Sequence, residues 1–119
     1  MNIDKMVEIE ILYSQYASLL TKKQREIVSM YYEEDYSLGE ISQILDISRQ
    51  SVYDSLKRSE KALNDYEKKL GMVEKLHKVE DLLNKLEDKI HVFSKDFDKC
   101  NAEDSTQLEY LIEEIRELL

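Results

Sequence analysis

Residues 37–63, SLGEISQILDISRQSVYDSLKRSEKAL, constrain this chain more than any other stretch. Serines stand directly ahead of two apolar-periodic runs, at Ser37 and Ser48. A Ser side chain accepts from the free amides that open a helix, so each serine marks a helix start. Glu40, three residues after Ser37, completes the spacing of a capping box. Leu38, Ile41, Ile44 and Leu45 supply the buried face of the first of these helices, and Asp46-Ile47 forms the turn. Val52, Leu56, Leu63, Tyr66 and Leu70 then run down one side of the next helix. The pattern predicts a helix-turn-helix whose second helix continues to about Lys69. Asp46 stands where such turns commonly carry Gly, and Asp tolerates the left-handed backbone required there.

The chain has no proline and only two glycines, Gly39 and Gly71, so an all-α fold is expected throughout. A first helix over residues 4–19 is predicted by a broad apolar stripe that includes Ile3, Met6, Val7, Ile11, Leu12 and Tyr16. Thr21 and Gln24 have capping-box spacing and open a second helix reaching about Glu34. Gly71 is expected to end or hinge the long fourth helix. It divides a helix-turn-helix domain, residues 1–71, from a helical extension, residues 72–119.

In that extension Met72, Leu76, Val79, Leu83, Leu86, Ile90 and Phe93 alternate steps of four and three, the seam of a coiled coil. Residues 94–104 read as a loop. A last helix from about Ser105 carries Leu108, Leu111, Ile112, Ile115, Leu118 and Leu119 on one face and is expected to pack back on its predecessor. The seam has two readings, a homodimeric coiled coil or one half of an intramolecular hairpin. The two apolar faces differ in length by about two turns, which would leave part of the seam bare in a hairpin and favours the dimer.

Charge bears on partners. The net charge is −9, whereas a simple nucleic-acid binder is usually basic. The excess is local: residues 71–119 hold seven basic and thirteen acidic side chains, against nine and ten in residues 21–70. The helix-turn-helix is thus nearly neutral, and the acidic extension suits a basic protein partner. Within the neutral half, Arg49 and Gln50 occupy the first turn of the recognition-type helix, where Arg can pair with guanine and Gln with adenine. Tyr53 can stack on a base. Lys57, Arg58 and Lys61 lie further along, at positions suited to phosphates. Lys22, Lys23 and Arg25 at the start of the second helix offer further phosphate contacts. The competing reading makes Arg49 a solvated side chain and pairs Lys57, Arg58 and Lys61 with Asp54, Glu60 and Asp65 at helical spacing. Asp54 repels phosphate wherever it faces one.

No Gly-rich phosphate loop can be built from two glycines. His77 and His91 fall on the exposed sides of the heptad helix, so neither a metal site nor a cofactor is expected. The single cysteine, Cys100, fits a reducing compartment. The N-terminal MNIDKMVEIEILYS lacks the apolar core of a signal peptide, and no apolar run is long enough to span a membrane. A cytoplasmic protein without enzyme activity is expected.

Residues 20–63, LTKKQREIVSMYYEEDYSLGEISQILDISRQSVYDSLKRSEKAL, resemble region 4 of bacterial sigma factors. EDYSLGEI at 34–41, ISRQSVYDSLKR at 47–58 and DYEKKLG at 65–71 are more specifically similar to the YlxM (p13-like) family. Ser42 stands where the wider motif usually has Ala. The resemblance covers residues 3–93 and implies a cytoplasmic bacterial regulator linked to the signal recognition particle (SRP). Its implied partners are SRP RNA, the SRP GTPase, or both; the alternative is a dimeric DNA-binding transcriptional regulator. Nothing in the chain resembles the polymerase-binding part of a sigma factor, which argues against promoter recognition of that kind.

Overall fold

The computed structural model describes the backbone of residues 3–96 and 102–119, and every described element is helical. Helix α1 spans Ile3–Tyr16 and tightens into a 3₁₀ turn at Ala17–Leu19. The Leu20 amide closes that turn on the Ala17 carbonyl at 3.1 Å, so the regular helix stops three residues before the expected end. Helix α2 spans Lys22–Val28. Both halves of its capping box are present: the Thr21 hydroxyl accepts from the Gln24 amide at 3.2 Å, and the Gln24 side chain accepts from the Thr21 amide at 3.0 Å.

The helical run ends at Glu33 with Glu34 as its cap, and α2 widens into a π-helical turn over Ser29–Glu33. The widening inserts Tyr32 into the core, with its ring edge-on to Tyr31 at a centroid distance of 5.0 Å. Asp35 then takes a left-handed backbone, φ 60°, which redirects the chain into α3, Leu38–Leu45. The Ser37–Glu40 capping box closes with bonds of 3.1 and 3.2 Å.

Asp46 is left-handed as well, φ 54°. The Asp46 and Ile47 amides both return to the Ser42 carbonyl, satisfying the end of α3 within a three-residue turn. Helix α4 spans Arg49–Leu70, capped at its start by Ser48 and at its end by Gly71, φ 60°. Val52, Leu56 and Leu63 of α4 meet Ile9, Leu12 and Tyr16 of α1, Ile27 and Val28 of α2, and Ile41 of α3 in one core. Each such aliphatic side chain contributes roughly 1.5–3 kcal/mol by leaving water. Helix α4 therefore cannot turn its buried side elsewhere, and its opposite side is held toward solvent.

Two units emerge, Met1–Val73 and Glu74–Leu119. Helix α5 begins at Met72 and runs to Asp96. Met72 and Val73 pack against the first unit's core. Their amides are held by the Tyr16 hydroxyl at 3.1 Å and the Glu67 carboxylate at 3.0 Å. In the second unit α6, Ala102–Leu118, runs antiparallel to α5. Arg116 reaches Glu87 at 2.7 Å and also bonds Asn84, while His91 meets Glu109 at 3.2 Å. Leu83 and Ile112 are buried between them, and Leu119 lies beside Leu76.

Both ends of the expected loop at 94–104 are helical instead. Residues 94–96 continue α5 and α6 starts at Ala102, because Ser, Lys and Asp weaken a helix without breaking it. Residues 97–101, Cys100 among them, lie outside the described residues, as does the Phe93 side chain. No described helix is long and apolar enough to cross a membrane.

Candidate nucleic-acid interface

The outer side of α4 begins at its cap. The Ser48 side chain takes the Ser51 amide at 3.0 Å, leaving Arg49 and Gln50 in the first turn with their side chains in solvent. Tyr53 is 44% exposed one turn on. Gln50 donates to the Asp54 carboxylate at 3.0 Å. That bond spends one amide hydrogen of Gln50 and gives Asp54 a neutral partner, so the pair sits on the surface as a preformed unit.

The candidate cations divide into two sets. Lys57 faces Glu60 at 3.5 Å and has its ammonium 5.5 Å from the Tyr53 ring centre. The Glu60 charge beside it raises the Lys57 pKa. Glu60 also accepts from the buried Tyr32 hydroxyl at 2.5 Å and lies 3.8 Å from Lys5. Burial and that hydrogen bond push the Tyr32 hydroxyl well above the usual phenol range. Lys57 thus belongs first to a network tying α4 to α1 and to the π-turn. Arg25 is likewise structural: it donates to the Leu20 carbonyl at 2.8 Å, while the Tyr13 hydroxyl donates to the Arg25 carbonyl at 3.3 Å. Its guanidinium thus satisfies the carbonyl that ends the α1 turn.

Arg49, Arg58, Lys61, Lys22 and Lys23 remain exposed, and no ion pair engages them among the described residues. The structure brings two of these together. Lys23 of α2 and Arg58 of α4 flank a polar groove of about 330 Å³ that is also lined by Thr21, Gln24, Ser51 and Ser55, with Asp54 on its wall. The hydroxyl residues of this groove were not singled out from sequence. Ser51, Ser55 and Arg58 do follow helical spacing, but nothing in the sequence places them opposite Lys23.

Of the seam residues, Leu83 is buried and Leu76 is half-buried, both beside Leu119 or Arg116 at the α6 contact. Val79 and Ile90 are half-buried, Leu86 is exposed, and Met72 belongs to the first unit. Leu76 and Leu83 are thus the seam residues that meet α6.

Comparison with known families decides membership. A family profile described as "Putative helix-turn-helix protein, YlxM / p13 like" matches residues 3–104. The chain belongs to this family. A relative from Caldanaerobacter subterraneus is 62% identical over 72 residues, which are 60% of this chain and 62% of that protein. One from Geobacillus is 46% identical over 86 residues, 72% of this chain and 78% of the relative. One from Listeria welshimeri is 47% identical over 79 residues, 66% and 72% of the two chains. The chain spans only 62% of the length of the Caldanaerobacter relative, so the activity and partners of a whole protein of this family remain matters for proposal.

Proposed function

We propose that this YlxM/p13-like protein is a cytoplasmic, non-enzymatic regulator that binds nucleic acid through the outer side of α4 and the first turn of α2. The observation that supports this most directly is the polar groove with Lys23 on one side and Arg58 on the other, beside the exposed Arg49, Gln50 and Tyr53. Cations and hydroxyls there can hold a phosphate backbone while the first turn of α4 reads base edges. Lys22 and Lys61 extend the basic track, and Lys57 joins it only by leaving Glu60.

The family resemblance directs the ligand toward SRP RNA, with the SRP GTPase as a protein partner. The charge distribution agrees. A nearly neutral helix-turn-helix beside an extension of net −6 is a weak stand-alone duplex binder and a suitable bridge between RNA and a basic protein surface. A dimeric DNA-binding regulator is the second reading, favoured by the apolar surface left bare on α5 and α6.

Binding to SRP RNA, to generic duplex DNA and to the GTPase across a salt series separates these. With about four phosphate contacts the log–log salt slope for RNA is expected to be roughly −3 to −4. Arg49→Glu with Arg58→Glu is expected to abolish nucleic-acid binding while the far-ultraviolet circular dichroism stays unchanged. Salt-insensitive binding confined to the GTPase would refute the nucleic-acid reading, and tight binding to duplex DNA alone would favour the second.

A further inference from the structure

The apolar stripes of α5 and α6 are wider than the line along which the two helices touch. On α5, Leu82 is 64% and Leu86 49% exposed, with Ile90 half-buried beside them. On α6, Leu108, Leu111, Ile115 and Leu118 are between 46% and 86% exposed. The residues that meet across the hairpin include Leu83, Asn84, Glu87 and His91 on one side and Glu109, Ile112 and Arg116 on the other. At 100° per residue each bare stripe lies roughly 110° round from that contact line. Because the helices are antiparallel, rotations of the same sense carry both stripes to the same side of the hairpin. The result is one apolar face two helices wide, on which six large aliphatic side chains are between 46% and 86% exposed. A monomer seldom leaves more than a few hundred Å² bare as one patch, and a standard interface uses about 800 Å² per partner.

The edges of this face are charged with opposite sign. Lys85 and Lys89, both exposed, border the stripe on the outer flank of α5. Glu114, also exposed, borders it on the outer flank of α6. The pairing of Arg116 with Glu87 and of His91 with Glu109 puts these lysines and Glu114 at similar heights along the hairpin. Two copies can stack face to face in two simple ways. A two-fold axis across the helices sets α5 on α5, with lysine facing lysine and glutamate facing glutamate. A two-fold axis parallel to the helices sets α5 on α6, and each lysine edge meets a glutamate edge.

We infer that this face binds a second copy of the chain, forming a four-helix bundle in which α5 of one protomer lies on α6 of the other, with Lys85 and Lys89 against the partner's Glu114. The bundle stands on the bare faces of the second unit and is independent of what α4 binds. It differs from a coiled coil of α5 alone in making α6 indispensable.

Sedimentation of the full chain at tens of micromolar is expected to give twice the 14.1 kDa of one chain. Ile115→Asp is expected to return it to 14.1 kDa with helical content kept; Leu118→Asp, at the most exposed position, serves if the first variant loses helix. Lys85→Glu with Lys89→Glu is expected to weaken the dimer about tenfold at low salt, as is Glu114→Lys. All three together are expected to restore it. A monomer at 100 micromolar overturns the inference. So does a dimer indifferent to Ile115→Asp and Leu118→Asp, and so does a dimer that responds alike to one swapped edge and to both.

Discussion

Tyr16→Phe isolates one hydroxyl in the core of the helix-turn-helix unit. Tyr16 is 2% exposed, and its ring packs on Tyr66 at a centroid distance of 6.0 Å, a contact that Phe retains. The hydroxyl donates to Glu67 at 2.5 Å and accepts the Met72 amide at 3.1 Å. Its removal deletes a hydrogen bond to a carboxylate and strands a part-buried amide at the start of α5. A hydrogen bond to a charged group contributes about 1.5–3 kcal/mol, so a loss of about 2–3 kcal/mol is expected. That is a large share of the roughly 5–15 kcal/mol typical of a domain and corresponds to a fall in Tm on the order of 10 °C. Urea unfolding followed by circular dichroism measures it. A double-mutant cycle with Glu67→Gln should show coupling of about 1 kcal/mol or more. A loss under about 0.5 kcal/mol, or additive single effects, would refute the claim that this bond holds the α4–α5 junction.

The same variant carries a pH signature. Burial first, and then the bond to Glu67, raises the Tyr16 hydroxyl above its ordinary value of 10.0. Above pH 10 the unfolded chain sheds this proton while the folded one keeps it. Stability present below pH 10 therefore falls as the pH rises through the folded value. Tyr13 and Tyr32 shift in the same direction. Tyr16→Phe is expected to flatten the alkaline decline without removing it, measured as unfolding free energy between pH 9 and 11.

Other substitutions test single features. Arg25→Ala, which loses the bond to the Leu20 carbonyl, is expected to cost about 1–2 kcal/mol of stability and leave nucleic-acid affinity unchanged at saturating fold. Arg49→Ala is expected to do the reverse, since its side chain has no structural bond in the first turn. Gly71→Ala meets no atom within 4 Å but must hold φ at 60°, so thermal unfolding should show a loss of about 1 kcal/mol from backbone strain alone. Asp46→Gly, at φ 54°, is expected to be neutral or to stabilise by a few tenths of a kcal/mol, with a clear loss refuting a purely backbone role for Asp46.

Helix starts were the most legible part of the fold. Thr21, Ser37 and Ser48 each precede an apolar run, and each caps a helix as its chemistry requires. Capping is settled within four residues, so it can be read without knowing the fold. The left-handed Asp46 was legible for the same reason. Asp35 was not: its left-handed turn follows a π-helical widening that carries Tyr32 into the core, which no local residue pattern marks.

The candidate interface was half legible. A helix wheel separates the outer side of α4 from Val52, Leu56 and Leu63, so Arg49, Gln50, Tyr53, Arg58 and Lys61 were correctly expected at the surface. Lys57 shares that side yet is held by Glu60, and Arg25 turns inward to Leu20. The Lys57–Glu60 pair lies at i,i+3 on α4 and was among the pairings that helical spacing offered, whereas the bond of Arg25 to the Leu20 carbonyl depends on how the chain turns into α2. The bonding of Gln50 to Asp54 lay at helical spacing and was available to sequence reasoning.

Local order, then, was determined by sequence alone: an all-α chain, the helix-turn-helix, its caps, and the break at Gly71. These follow from interactions between residues a turn apart, whose geometry is the same in any helix. Tertiary structure decided which cations stay available, which hydroxyls line the groove opposite Lys23, and which seam residues the α5–α6 hairpin covers. Those outcomes depend on where a second helix lies, and residues far apart in the chain meet only once the cores have packed.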